Sequence, residues 1–385
     1  MRYWFGYLTA GIFAAITWVL MQFGQRFSTL VDMIYPYVIR TLQGMLAEWT
    51  SSVDFPVWQV LAVALGVLIL ASLVLMLILK WNPIQWAGWM LAVFSGLYML
   101  NTMMWGLNYY AGTLAEDMRL EVASYNLEEL TEATLYYRDK ANDLAAQIPR
   151  DAAGNPDFAD FAQLAQQAGD GFHTLTYTNH YSIFAGSVVP VKELGWADLY
   201  TSMGVTGVTF GMTGESAVNP NVPDVGLPFA MAHEMAHRMS IAPERDANFA
   251  AFLACTANSD PQFQYSGYLM AFRYCYTALT SVDAQGAVTV SQGISQQLRG
   301  DMAGYTAFFD SRVPTTSSNL ASSVNDAYLK LSGEEGGSDS YAEVCDLLVN
   351  WHIQTVVLPS ITVEDSPFDP YDETQVDLSG IVNAR

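Results

Sequence analysis

The chain has 385 residues, of which 51% are hydrophobic and 14% are charged, enough for one sizeable folded domain together with membrane segments. Its net charge of −22 lies almost entirely after residue 105, where 35 acidic side chains outnumber 12 basic ones. A domain this acidic repels nucleic acid and has no basic tract, so we expect no nucleic-acid partner.

Three uncharged apolar runs of 20 to 23 residues occupy the first third of the chain, at 3–23, 57–79 and 86–105. A helix of about 20 residues crosses a bilayer core, so each run is predicted to span a membrane. The first run is longer than a signal-peptide core and lacks a cleavage site of small residues, so we expect it to be retained. Residues 37–49 are interpreted as a helix lying on the membrane surface. The sequence therefore predicts a multi-pass membrane domain over residues 1–110, with the lipid bilayer as partner.

Residues 111–360 differ in composition and are predicted to form a soluble, mostly helical domain. The last residues, 361–385, are acidic and contain proline, which is typical of a loosely held tail. The three cysteines, Cys255, Cys275 and Cys345, are too few for a disulfide framework and lack C-x-x-C spacing. One bridge is possible, but buried free thiols are the favoured interpretation.

Local patterns predict the first elements of this domain. Asn126 and Glu129 have the spacing of an N-cap and its reciprocal partner, which predicts a helix to about residue 147. A second amphipathic stretch starts at Asp157. Residues 205–210 and 216–219 predict a β-hairpin, which is either an edge on which an extended peptide lies or an ordinary surface hairpin.

The most informative motif is the run His233-Glu234-Met235-Ala236-His237, which follows the helix-starting residue Pro228. Positions i and i+4 of a helix share a face, so both imidazoles can point at one metal ion while Glu234 reaches its bound water. Zinc lowers the pKa of such a water, and Glu234 takes the proton as the water attacks a peptide carbonyl. The motif predicts a zinc (Zn2+) peptidase with His233 and His237 as ligands and Glu234 as the catalytic base.

A third metal ligand is needed, and the sequence leaves two candidates. Metzincins have glycine three residues and histidine six residues after the second motif histidine, but Ser240 and Pro243 occupy those positions here. Other zincins use a carboxylate on the following helix, and Glu244 and Asp246 both lie in the first turn after Pro243. Glu244 shares its helix face with Asn248, which could support a ligand through a hydrogen bond, whereas Asp246 points elsewhere. We favour Glu244 and keep Asp246 as the alternative.

The stretch 227–249 resembles a family of bacterial three-span membrane proteins placed among the HExxH zinc peptidases of the gluzincin kind. Further pieces that resemble this family occur in order at residues 105–110, 328–330, 340–341 and 346–348. The resemblance implies a zincin-like catalytic domain, although relatives usually have glutamate where this chain has Asp246. The Glu244–Asn248 pattern is also similar to Glu-x-x-Ala-Asp of prenyl-protein-processing membrane peptidases, in which the glutamate binds zinc and the last residue braces a histidine.

Other candidate residues are less specific. Tyr276 or Tyr341 could stabilise the tetrahedral intermediate. Scattered histidines are more often hydrogen-bonded structural residues than ligands or oxyanion donors, which applies to His173, His180 and His352.

The leading interpretation is a membrane-anchored zinc peptidase with a peptide or protein substrate. One alternative is a zinc hydrolase of a non-peptide amide, such as a cell-wall or lipid-linked bond. Another is an inactive membrane scaffold that keeps the zincin fold, which the presence of Glu234 disfavours. Three spans place the N-terminus and the domain on opposite sides, and we expect the domain outside the cytoplasm.

Overall fold

The computed structural model describes residues 4–314 and 343–359, together with 319, 322–323, 326–327 and 330. Its first helices are α1 (Phe5–Arg26), α2 (Ser28–Thr50), α3 (Val57–Ile78) and α4 (Pro83–Met104). Within the described residues, α1, α3 and α4 are the three helices long and apolar enough to cross a membrane, as predicted. The helix α2 contains the predicted segment 37–49 and extends it in both directions. The tail at 361–385 and Tyr341 lie outside the described residues.

The spanning helices α1 and α4 run in parallel and pack closely. Their backbones meet at Gly6 and Gly88, and about two turns further along, the ring of Phe13 lies against Gly96. Small residues at a crossing let two membrane helices approach each other. Both helices therefore end on the same side, where the rest of the chain folds.

The turn from α3 to α4 is short, although α4 packs mainly against α1. The side chain of Asn82 accepts hydrogen bonds from the backbone N–H groups of Ile84 and Gln85, at 2.9 and 3.2 Å. Pro83 occupies the first helical position, where a missing N–H costs nothing. The two spans are thus joined by a short capped connection.

The described part of the chain beyond α4 is mostly helical. A 3₁₀ turn, Gly106–Tyr110, follows α4 directly. The later helices are α5 (Leu114–Met118), α6 (Leu127–Ala145), α7 (Phe161–Tyr177), α8 (Ala197–Ser202), α9 (Leu227–Arg238), α10 (Glu244–Ala257), α11 (Pro261–Val282), α12 (Ala284–Gln292), α13 (Gln296–Arg312) and α14 (Val344–His352). A π-helical turn, Ile353–Val357, continues α14.

Side-chain caps define where α6 and α7 begin. Asn126 and Glu129 form the predicted capping box, in which each side chain receives a backbone N–H of the other residue. The helix α7 starts three residues later than the expected position at Asp157, because Asp160 caps it by accepting from the N–H of Gln163.

The described residues form one three-stranded sheet of strands β1 (Lys192–Glu193), β2 (Gly207–Phe210) and β3 (Glu215–Val218), in the order β1-β3-β2. The pair β2 and β3 is the predicted hairpin, with boundaries displaced by one or two residues, and Gly207 pairs with Val218. The parallel strand β1 was not expected. In the hairpin turn, Gly214 has φ +67°, and an added Cβ would lie 2.1 Å from the carbonyl oxygen of Gln43 in α2. The turn therefore packs directly on α2.

The helix α9 lies at the centre of the folded domain. It contacts α7, α10 and α11 as well as β2 and β3, and every one of its residues except His233 is buried. The surrounding core also contains Cys255, Cys275 and Cys345, which are buried free thiols as expected.

A buried ion pair fastens the sheet to the membrane helix α3. Nζ of Lys192 lies 2.7 Å from Oε1 of Glu215, with side-chain exposures of 9% and 1%. The same carboxylate accepts hydrogen bonds from the backbone N–H groups of Val57 and Trp58, at 2.8 and 3.0 Å. These are unpaired donors at the start of α3, where a negative charge also complements the helix dipole. Glu215 therefore joins β3, β1 and α3.

We expect Glu215→Ala to lower the thermal unfolding temperature of the protein in detergent, because it leaves Lys192 buried without its counter-charge. Breaking such a buried pair costs about 3–5 kcal/mol. The matched control is Glu193→Ala, which removes the exposed carboxylate of the residue that follows Lys192 in β1. Equal unfolding temperatures for the two variants would contradict this role for Glu215.

Candidate metal centre

A cleft of about 680 Å³ opens beside α9. Its walls come from α9, α10, β2, α11, α13 and the turn after α4, and include Trp105, Tyr109, Gly207, Thr209, His233, Glu234, His237, Glu244, Asn248, Tyr274 and Tyr305. A larger cleft of about 810 Å³ is lined partly by Arg150 and Asp301. Those two charged groups pair with each other at 2.6 Å. Among the described residues, the group of side chains suited to hold a metal lies in the smaller cleft.

The helix α9 presents both motif histidines to this cleft. Pro228 occupies the first turn, as predicted, and the helix continues without interruption to Arg238. Because His233 and His237 are four residues apart, their rings lie on one face with centroids 4.6 Å apart. The ring of Trp105 stands edge-on to His237 at 5.7 Å and helps to fix its orientation.

Glu244 brings a carboxylate to the same point from the start of α10. Its Oε2 lies 3.2 Å from Nε2 of His233 and 3.6 Å from Nε2 of His237. Ligand atoms at tetrahedral zinc distances lie ~3.3 Å from one another. The distances from Glu244 to the two histidines are therefore close to those between ligands of one metal ion, and all three ligand atoms lie within 4.8 Å of one another.

The hydrogen bonding of His237 leaves its second ring nitrogen facing the carboxylate of Glu244. Nδ1 of His237 lies 2.8 Å from the carbonyl oxygen of Ile241 and must donate to it, because a carbonyl only accepts. In the neutral ring, the lone pair of Nε2 then faces Oε2 of Glu244, which receives no well-formed hydrogen bond from any described residue. Two facing acceptors repel unless a proton or a metal ion lies between them. A ring whose other nitrogen is held by a carbonyl is the usual form of a metal-binding histidine.

The pKa values at the site reflect this concentration of charge. Burial lowers the pKa of His237, but the adjacent Glu244 carboxylate outweighs that effect and raises the pKa to about 9. Burial raises the pKa of Glu244, but His237 and His233 together hold it well below its usual range. Glu244 is therefore ionised at neutral pH, which a metal ligand must be.

The alternative ligand, Asp246, points away from the histidines. Its Oδ2 accepts a hydrogen bond of 2.8 Å from the backbone N–H of Leu114, and Oδ1 lies 3.1 Å from Nε of Arg245. Asp246 thus connects α10 to the start of α5. Asn248 does line the cleft on the Glu244 side, and its buried side-chain nitrogen has no hydrogen-bond partner among the described residues.

Glu234 is buried next to the ligand group and against the sheet. Its Oε2 lies 2.7 Å from Oγ1 of Thr209, and its main-chain carbonyl accepts from Ser216 at 2.8 Å. A Cβ on Gly207 would lie 2.5 Å from Oε1 of Glu234, so only glycine lets β2 approach this closely. Burial raises the pKa of Glu234, although the two histidines act in the opposite direction. The environment thus favours a carboxylate able to accept a proton.

The remaining predicted residues lie elsewhere. Tyr276 packs against Phe272 outside the cleft, and the tyrosines of α11 and α13 that line it are Tyr274 and Tyr305. His352 packs against Tyr136, at 4.7 Å between ring centroids. His173 stacks near Tyr177 on α7, and His180 lies in the loop after it. Thr209 and Gly207 were not anticipated as site residues, although their hairpin was.

Comparison with curated proteins and with solved structures gives no match, so the zincin-like fold stays a prediction. A family model described as "Protein of unknown function (DUF3810)" matches residues 31–349. The matched range starts within α2, continues through the last two spanning helices and the metal-ligand group, and ends within α14. Since the match covers most of the chain, this protein belongs to the DUF3810 family.

Proposed function

We propose that this protein is a membrane-anchored zinc metallopeptidase with a zincin-like domain. The observation that supports it is the convergence of His233, His237 and Glu244, whose ligand atoms all lie within 4.8 Å of one another, beside the buried carboxylate of Glu234. Two imidazoles and one carboxylate are the protein ligands of many catalytic zinc sites, which leave a fourth position open.

The chemistry divides between the metal and the chain. A zinc ion held there would act as a Lewis acid and make a water molecule more acidic. Glu234 accepts the proton of the attacking water and delivers it to the leaving amine. Thr209 positions the Glu234 carboxylate, and Tyr274 and Tyr305 are the candidate donors toward the developing oxyanion.

The strand β2 offers a place for an extended substrate. It lies at one edge of the described sheet, and the hydrogen bond from the N–H of Asn219 to the carbonyl of Thr206 sets its pairing with β3. Because peptide groups alternate along an antiparallel strand, those of Gly207 and Thr209 face the unpaired edge. A peptide added there would pass in front of the ligand group, which favours a peptide substrate over a compact non-peptide amide.

Two other functions are separable by experiment. A hydrolase of cell-wall or lipid-linked amides would bind zinc but leave a peptide library intact. An inactive scaffold would lack both tightly bound zinc and hydrolysis.

We expect Glu234→Gln to retain zinc at the wild-type level and to lose hydrolysis of a peptide library by ~10²–10⁴-fold or more, because glutamine keeps the shape but accepts no proton. Metal analysis and peptide digestion of the purified full-length protein measure both quantities. Undiminished cleavage by this variant would show that the mechanism is wrong.

The ligand assignment predicts opposite results for two neighbouring carboxylates. We expect Glu244→Gln to weaken zinc binding by more than the ~10–100-fold that loss of a supporting residue costs. The matched variant Asp246→Asn should keep its zinc, because the amide oxygen still accepts from Leu114. Zinc titration of both variants decides the assignment. Loss of zinc from the Asp246 variant with retention by the Glu244 variant would reverse it.

The domain is proposed to lie outside the cytoplasm. Since α1 and α4 are parallel, the N-terminus and Lys80 share the side opposite to the domain, whereas Arg26 lies at the domain end of α1. The positive-inside count is therefore close to balanced, and the acidic composition of the domain favours its placement outside the cytoplasm. Arg40 is on the domain side but is buried against the carbonyl of Ile183. We expect external protease to digest the domain in intact protoplasts. A domain that is digested only after lysis would establish the inverse topology.

A further inference from the structure

The helix α2 has one face that no described residue covers. The exposed side chains along it are apolar and large, including Met33, Val38, Met45 and Trp49 at 65%, 57%, 59% and 77% exposure. Val38, Met45 and Trp49 follow one another at steps of seven and four residues, so they form one continuous stripe along α2, and Met33 widens it on one side. Charged groups are nearly absent from this stripe, which is unusual for a surface in contact with water.

The position of α2 identifies the bilayer as the partner of this stripe. A single residue, Phe27, separates α2 from the end of α1, and six residues separate it from the start of α3. In its middle, Tyr35 and Gln43 donate hydrogen bonds to the carbonyls of Met103 and Met104, at 2.8 and 2.9 Å. The helix thus passes across the ends of all three spans, at the level where they leave the membrane.

The opposite face of α2 supports the metal centre. Oγ of Ser240, in the turn after α9, lies 3.3 Å from the carbonyl oxygen of Pro36. Gly44 contacts Ser187, and Arg40 donates to Ile183. Helices in contact have axes about 8–10 Å apart, so the end of α9 lies within roughly one helix diameter of α2.

The cleft also begins at the membrane exit. Trp105 is the first residue after α4, lines the cleft and packs on His237. Tyr109, four residues later, is part of the same wall. A substrate that reaches the metal ligands therefore passes close to the surface from which α4 emerges.

We infer that α2 lies in the bilayer interface and that the cleft acts on polypeptides anchored in the same membrane, at a bond close to its surface. The substrate class rests on the proposed peptidase function, whereas the position of α2 does not. A membrane anchor gives such a substrate a high effective concentration at the cleft, which a soluble peptide lacks.

The position of α2 is tested without any activity. Nitroxide labels at Met45→Cys and at Val38→Cys, in full-length protein reconstituted into phosphatidylcholine vesicles, are compared with one at Glu132→Cys on the exposed side of α6. The native cysteines are buried, so the introduced thiols react preferentially. Oxygen concentrates in the bilayer, whereas a water-soluble nickel complex stays in the aqueous phase. We therefore expect the spin relaxation of the two α2 labels to be enhanced more by oxygen, and that of the label at position 132 to be enhanced more by the nickel complex. Equal access of the nickel complex to all three labels would overturn the inference.

The substrate class is tested with three forms of one probe. A randomised segment of about ten residues is placed directly after a membrane span, after a Gly/Ser spacer that moves it on the order of 30 Å away, or in a soluble protein. We expect zinc-loaded wild-type protein in vesicles to cut the adjacent form at least ~10-fold faster than the other two, and Glu234→Gln to cut none. Equal cleavage of the soluble form would overturn the inference and leave the peptidase intact. Absence of Glu234-dependent cleavage in all three forms would overturn both.

Discussion

The burial of α9 is the constraint on which the surrounding structure depends. This helix carries Glu234, His237 and Arg238, all buried, and buried polar groups are tolerated only when they are paired. Several neighbouring segments bring polar groups to them. Thr209 in β2 and Ser216 in β3 donate to Glu234, the carboxylate of Glu244 in α10 lies beside His237, and the carbonyl of Val189 before β1 accepts from Arg238. The sheet, α10 and the loop before β1 therefore meet around α9, where they contact its buried polar groups.

Local signals in the sequence predict much of this fold. Apolar length alone identifies the spans, and the Asn126 and Glu129 pair identifies the start of α6. A stretch rich in glycine, threonine and valine identifies the β2–β3 hairpin. The strand β1 gives no such signal, because its two residues become a strand only by pairing with β3, more than twenty residues later. The start of α7 is displaced because Asp160, and not Asp157, caps the helix by accepting from the N–H of Gln163.

Some features of the candidate site can likewise be predicted from local sequence, whereas others depend on residues distant in the chain. Spacing places His233 and His237 on one helix face, and the greater reach of glutamate favours Glu244 as the third ligand. The partner of Asp246 is the N–H of Leu114, which is distant in sequence and therefore invisible to such an analysis. Tyr274 and Tyr276 are two residues apart, about 200° around α11, so the choice between them depends on how α11 packs against α6 and α9.

The membrane segment is part of the construction of the site as well as its anchor. Trp105 orients His237, Glu215 ties β3 to the start of α3, and the turn at Gly214 rests on the backbone of α2. Removal of the residues before α5 would leave Glu215 without its backbone donors. It would also expose the domain surface that α2 covers. The arrangement of the candidate metal-binding side chains therefore depends on contacts with residues that precede α5.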